Sequence, residues 1–305
     1  MSREHRLDAS QIHHDWDRSR EPVLAVRPGD VVHFDLPITA DGQLTETSSI
    51  DDVDWDFETI YNLAGPIVVE GASPGDTLEV EILELQPGAW GWTAVIPELG
   101  LLAADFPDPF LKIFDLRNGE TAAVAPRVEV PLEPFLGTMG VPVDLPGPVS
   151  PFPPHAGGGN VDCRHLVAGS TLWLPIWCEG ALFSCGDAHG VQGDGEVCVS
   201  AVECAMQATL RFGLIERTIP GPACQAPQPA GLAGPYRGTM GIDADLMEGA
   251  RTAVRNMISW LVEERGLSRE DAYVLCSLAG DLRIHEIVDA GVWNVGMTLP
   301  LGVFR

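Results

Sequence analysis

The chain has 305 residues, enough to bury a large core as one domain or as two closely packed halves. Its 44 acidic against 18 basic residues give a formal net charge of -26, which disfavours nucleic acid or an anionic membrane surface as partner. No stretch reaches the roughly 18 apolar residues that span a bilayer, and Met1 to Asp8 has no apolar signal core, so a cytoplasmic location is expected. Seven cysteines show no paired spacing and sit mostly among apolar neighbours, which fits buried, reduced thiols.

The first four-fifths of the chain reads as β structure. Val31–Phe34, Ile67–Glu70, Thr77–Leu85, Arg127–Val130, Leu172–Trp177 and Ala208–Glu216 are short apolar or alternating runs bounded by Gly, Pro, Asp or Ser. Cys198–Met206 is ambiguous between strand and helix. Helices follow: one from about Ala244 to Arg265, N-capped by Asp243 and stopped by Gly266, and one from Ser268 to about Leu278. A third, short helix is expected over Arg283–Asp289. The fold class is therefore mainly β with α, with sandwich- or barrel-like sheets and two to three helices near the C-terminus. We treat residues 1–305 as one catalytic unit, divisible at most into two intimately packed subdomains, about 1–150 and 151–305.

Two internal echoes suggest approximate symmetry. Pro134-Phe-Leu-Gly-Thr-Met-Gly-Val141 is repeated by Pro235-Tyr-Arg-Gly-Thr-Met-Gly-Ile242, read as two equivalent β-turns flanking a site. Gly75-Asp-Thr-Leu and Gly169-Ser-Thr-Leu form a second pair. The apolar run Val292–Phe304 could serve as an oligomer contact or an edge strand, and a homo-oligomer is expected.

Residues 184–204 carry the chemistry. Asp187, His189, Asp194, Glu196 and Glu203 fall within twenty positions, interleaved with Gly186, Gly190, Gly193 and Gly195. Carboxylates with an imidazole suit a divalent cation such as zinc, calcium or magnesium. An acidic, glycine-rich hairpin tip in solvent is the bland alternative.

Gly186-Asp-Ala-His-Gly-Val-Gln-Gly-Asp-Gly-Glu196 resembles the signature of the acetamidase/formamidase family. Gly65–Leu78, Gly158–Leu166 and Gly169–Trp177 extend the likeness in order, over about residues 25 to 290. The resemblance implies hydrolysis of short aliphatic amides, and a divalent metal held by the acids, zinc and/or calcium, is expected to activate the water. Asp187 and His189, two apart, share a face if extended, and Asp162 stands three before His165. The expected metal set is Asp162, Asp187, His189 and Glu203, with Asp35 as a weaker addition. Glu133, Glu196 and His165 are the candidates for proton transfer. Asn160 could hold the amide, and the backbone at Gly137 or Gly193 could form an oxyanion pocket. Phe152, Trp90, Trp92 and Trp173 could line a small apolar cavity. Among the other histidines, His5, His13 and His14 are expected in solvent, His155 in a loop entering the site, and His285 on the last helix.

Nucleophilic alternatives find little support. The chain has no Gly-x-Ser-x-Gly elbow. Its one lysine, Lys112, has no Ser-Ser or Glu-Cys partner set, and Cys163 and Cys185, which flank the candidate ligands, have no clear activating base. One departure is Ile38, in Pro37–Gln43, where relatives usually carry an acid; substrate choice could differ accordingly. A larger amide, or a catalytically silent metal- or small-molecule-binding protein of the same fold, are the competing readings.

Overall fold

In the computed structural model, residues 2–227 and 234–305 are described. All six expected strands form. The longest, Thr77–Val95, is the spine of the molecule. It pairs antiparallel with Glu203–Ile215, Phe110–Asp115 and Thr171–Pro175, and Glu203–Ile215 pairs on its far edge with Val31–Leu36. Leu78, Val80 and Ile82 are buried while Glu79 and Glu81 face outward, as the alternation in sequence requires. The ambiguous stretch before Met206 resolves as a loop running into the strand Glu203–Ile215.

A second group of strands is buried on both faces. Phe135–Gly140 lies between Phe183–His189 and Gly158–Asn160, and Phe183–His189 also pairs with Leu63–Val69. Every residue of Phe135–Gly140 and of Phe183–His189 is buried. These strands bring the polar motif residues into the interior.

The helices pack over a third group. Leu246–Arg265 is capped by Asp245, whose side chain accepts from the backbone N–H of Met247 and Glu248. Asp243, the expected cap, instead ends the strand Tyr236–Asp243. Arg269–Ala279 follows, with the Ser268 hydroxyl accepting from Asp271 N–H. The expected third helix is not formed: Asp281–Glu286 is a strand paired with Trp293–Pro300. An unpaired strand edge in reach outweighs the modest helix propensity of a run rich in Ile, Val and His. Trp293–Pro300 is paired on both sides, so the C-terminal apolar run is an interior strand.

The symmetry suggested by sequence is present in the pairing. The strands that begin with the two Gly-x-Thr-Leu motifs lie antiparallel, Thr77 opposite Pro175 and Thr171 opposite Glu81. Gly75 N–H donates to Ile176 O and Gly169 N–H to Ile82 O, and the return bonds, Ile176 N–H to Asp76 O and Ile82 N–H to Ser170 O, mirror each other. The longer echo, however, forms strands, Phe135–Gly140 and Tyr236–Asp243, and not turns.

Close approach of helix to sheet depends on Gly241. A Cβ there would lie 2.0 Å from Gly249 O and 2.5 Å from Ala253 N, both helix backbone. Gly241→Ala should destabilise the protein by about 1–3 kcal/mol, because backbone cannot rotate aside. Urea unfolding measures it; an unchanged midpoint would show that the helix is not seated as described.

Candidate active site

Asp187 and His189 project to one side of the Phe183–His189 strand, as two-residue spacing dictates. Strand pairing sets Glu203 directly opposite His189. His189 Nε2 lies 3.2 Å from Glu203 Oε2 and 3.4 Å from Asp187 Oδ2, and Nδ1 lies 3.7 Å from Asp162 Oδ1. All four side chains are buried.

Hydrogen bonding assigns the imidazole tautomer. The Gln192 side-chain NH2 donates to Asp162 O and His285 O, so its oxygen is the atom facing His189 Nδ1 at 2.9 Å. Nδ1 therefore donates to Gln192, and Nε2 presents a lone pair to two carboxylates. Acceptors facing one another in a dry interior need a proton or a cation between them. If a proton, it resides on His189. Burial pulls that imidazole down, but the charges of Glu203 and Asp187 outweigh burial and hold it well above its ordinary value.

One imidazolium does not balance the acids present. Burial and the neighbouring Asp187 push Asp162 up to about 7. Glu196 is pushed well above its usual range by burial and by Asp162. Burial also raises Glu203, partly offset by His189, whereas Asp187 stays low despite burial because His189 and the Thr39 hydroxyl stabilise its charge. Both oxygens of Asp162 and Oε2 of Glu203 have no hydrogen-bond partner among the described residues.

Space for a cation comes from Gly137. A Cβ at that position would sit 2.5 Å from Asp162 Oδ1, 2.6 Å from Asp187 Oδ2 and 2.8 Å from His189 Cε1. The donors Asp187, His189 and Glu203, and likewise Asp162, His189 and Glu196, converge closely enough to hold a metal ion. A divalent ion fits this donor set. Three of the acids, Asp162, Asp187 and Glu196, have left-handed backbones, with φ of 40°, 52° and 44°. Such conformations cost energy in non-glycine residues and persist where surrounding structure enforces them.

Above the acids is a cavity of about 20 Å³, room for one water, lined by Phe57, Ile60, Tyr61, Trp92, Ile96 and Phe152 among others. Asp187 is steadied by the Thr39 hydroxyl at 2.9 Å, while the Thr138 hydroxyl donates its one proton to Asn160 Oδ1 at 2.5 Å. Glu196 also lines the cavity, and its carboxyl makes no hydrogen bond among the described residues.

Asp162, Asp187, His189, Glu196 and Glu203 thus come together. Other expected site residues do not join them. Asp35 is held by the Arg6 guanidinium near the surface, 2.7 Å from its Nη2. Glu133 is paired with Arg164 at 2.5 Å and is partly exposed. His165 faces Asp194 and His285 in a separate cluster, its pKa lowered to about 3 by burial and by the nearby His285. Asn160 is adjacent, but its NH2 already donates to Asp289, Tyr61 and Phe152 O, and its oxygen accepts from Thr138. Gly193 O accepts from Glu196 N–H and shapes that turn. Gly137 acts through its missing side chain.

Phe152 and Trp92 line the cavity; Trp90 packs beside it, and Trp173 stacks under Arg237 elsewhere. Ile38 is buried in the apolar cluster around Trp92 and Tyr61. His5 pairs with Asp30, and His13 is buried against Ser184 Oγ at 2.8 Å; neither is free in solvent. His155 packs edge-on against Trp16, and His285 lies on a strand. All seven cysteines are free. Burial pushes the thiols of Cys163 and Cys185 upward, away from thiolate, and neither lines the cavity.

Sequence reasoning missed Thr39, Tyr61, Gln192, Glu286 and Asp289. Tyr61 lies in a loop with no motif around it, and Thr39 stands beside Ile38 in a stretch read only for its missing acid. Glu286 and Asp289 were hidden by the helix expected over 283–289; Glu286 instead caps a turn, accepting from Val288, Asp289 and Asn294 N–H.

Known proteins share the sequence and fold of this chain. The chain is 27% identical over 296 residues to a formamidase of Methylophilus methylotrophus, covering 77% of this chain and 73% of that one. It superposes on an acetamidase from Bacillus halodurans with a TM-score of 0.89 at 30% identity, over 98% of both chains. A predicted acetamidase/formamidase from Thermoanaerobacter tengcongensis gives 0.91 at 26% identity, over 99% and 97%. The model of the Acetamidase/Formamidase family matches residues 1–145 and 149–305. With the acidic motif folded around His189 and the whole chain matched, this protein belongs to the acetamidase/formamidase family.

Proposed function

We propose that the protein hydrolyses the C–N bond of short aliphatic amides, releasing carboxylate and ammonia, at the acid cluster around His189. The observation that carries this reading is the convergence of Asp162, Asp187 and Glu203 on His189, at a small cavity walled on its other side by Trp92 and Phe152. Asp187, His189 and Glu203, with Asp162, would hold a divalent ion. An imidazole nitrogen in the set favours zinc over calcium, which takes oxygen ligands. When bound, the ion would lower the pKa of a water and polarise the amide carbonyl.

The chain's own groups have separate tasks. Glu196, unpaired and facing the cavity, takes the proton from the attacking water and returns it to the leaving nitrogen. Tyr61, whose phenol is held protonated by burial and the nearby Asp187, donates a hydrogen bond into the cavity. The Thr39 hydroxyl fixes the Asp187 carboxylate. Phe57, Ile60, Trp92 and Phe152 exclude bulk water and leave little space for an acyl chain, which favours the smallest amides.

Ammonia release from formamide, acetamide and propionamide tests the reading, on metal-analysed protein before and after chelation. Activity should vanish with the metal and return on its replacement. Activity that survives complete metal removal would defeat the metal-dependent mechanism; no release from any amide with metal bound would defeat the substrate assignment.

Exposed Leu101, Leu102, Phe106, Phe110 and Val197 support self-association, which light scattering on the purified protein would test.

A further inference from the structure

A second convergence of metal-binding side chains lies outside the acid cluster. His165 follows the Gly158–Asn160 strand, Asp194 is on the loop before Glu196, and His285 is on the Asp281–Glu286 strand. His165 Nε2 and His285 Nδ1 each lie 3.9 Å from the same atom, Asp194 Oδ1. The three donor atoms all fall within 4.8 Å of one another. Both imidazoles are buried, at 3% and 2% exposure, and neither of these nitrogens has a hydrogen-bond partner among the described residues.

Three features point to an ion. A point equidistant from three atoms so spaced lies roughly 2.4 Å from each, which a small contraction brings to the ~2.0–2.2 Å that zinc takes to imidazole and carboxylate. The Arg283 guanidinium holds the other oxygen of Asp194 at 3.1 Å, turning Oδ1 toward the two rings. Outer hydrogen bonds of this kind orient ligands at metal centres. The rings also brace each other, edge to face, with centroids 5.6 Å apart.

We propose that His165, Asp194 and His285 form a second divalent-metal site, of the two-histidine, one-carboxylate type that suits zinc or a similar transition metal. Its ligands come from three segments far apart in sequence. A bound ion would therefore staple the Asp281–Glu286 strand to the loop that carries Glu196. Gly195 N–H already donates to His285 O at 2.9 Å along the same seam. The proposal stands apart from amide hydrolysis, and its readout does not use activity.

The test is metal counting on stripped protein reloaded with zinc(II), and separately with cobalt(II) to read the ligand-field spectrum. Full-length protein should take up one equivalent more than His285→Gln and one more than His165→Gln, with circular dichroism confirming that each variant is folded. Asp187→Asn should retain the cobalt spectrum that His285→Gln loses. A folded His285→Gln with unchanged zinc content and cobalt spectrum would overturn the site. Should both variants fail to fold, anomalous diffraction at the zinc edge from unmodified, zinc-loaded crystals decides. A peak between the three donor atoms supports the site, and zinc found elsewhere but not there overturns it.

Discussion

Alanine at Gly137 should eliminate most amide hydrolysis, by on the order of 10²–10³-fold in kcat/KM, the cost of losing one main electrostatic element of a site. The added methyl would enter the space between Asp162 Oδ1, Asp187 Oδ2 and His189 Cε1, all under 3 Å away. The carboxylates must then splay or the strand must shift. Splaying removes the space for a cation; shifting breaks the ladder with Phe183–His189, in which Leu136 faces Ala188 and Thr138 faces Gly186. Stability should fall by about 1–3 kcal/mol as well. Steady-state kinetics, metal content and urea unfolding on one preparation separate these effects. Retained activity and metal content would show that the space beside Gly137 is not where the chemistry occurs.

Glu196→Gln is the second test. Glutamine keeps the shape and cannot accept a proton, so kcat should drop by about 10²–10⁴-fold if Glu196 moves the proton between water and leaving nitrogen. KM and metal content should stay near those of the parent, because Asp187, His189 and Glu203 remain. A fall in KM-normalised rate with loss of metal would assign Glu196 to ion binding instead. A kcat within about threefold of the parent would remove it from the mechanism, and Tyr61 would become the group to replace.

The acid motif was legible because its information is local. Asp187 and His189 are two apart on a strand, so their common face follows from backbone geometry. The strands starting at Val31, Thr77 and Thr171 were legible for the same reason, as was the Ser268 cap. Gly137 was named for its backbone, but what distinguishes it is a close approach to Asp162, Asp187 and His189 that only neighbouring strands create. The helix expected at Arg283–Asp289 failed because a short run of mixed propensity took the pairing offered by Trp293–Pro300.

What the sequence by itself determined is the set of groups and their short-range order: a mostly β chain, two helices near its end, and acids spaced around His189. The tertiary structure alone decided which groups meet. Strand register put Glu203 opposite His189, while ion pairing with Arg6 and Arg164 drew Asp35 and Glu133 away. It also separated His165 from His189 and joined it to His285, 120 positions later. Side chains so far apart meet through long-range strand pairing, and that pairing depends on the whole buried surface, not on any local pattern.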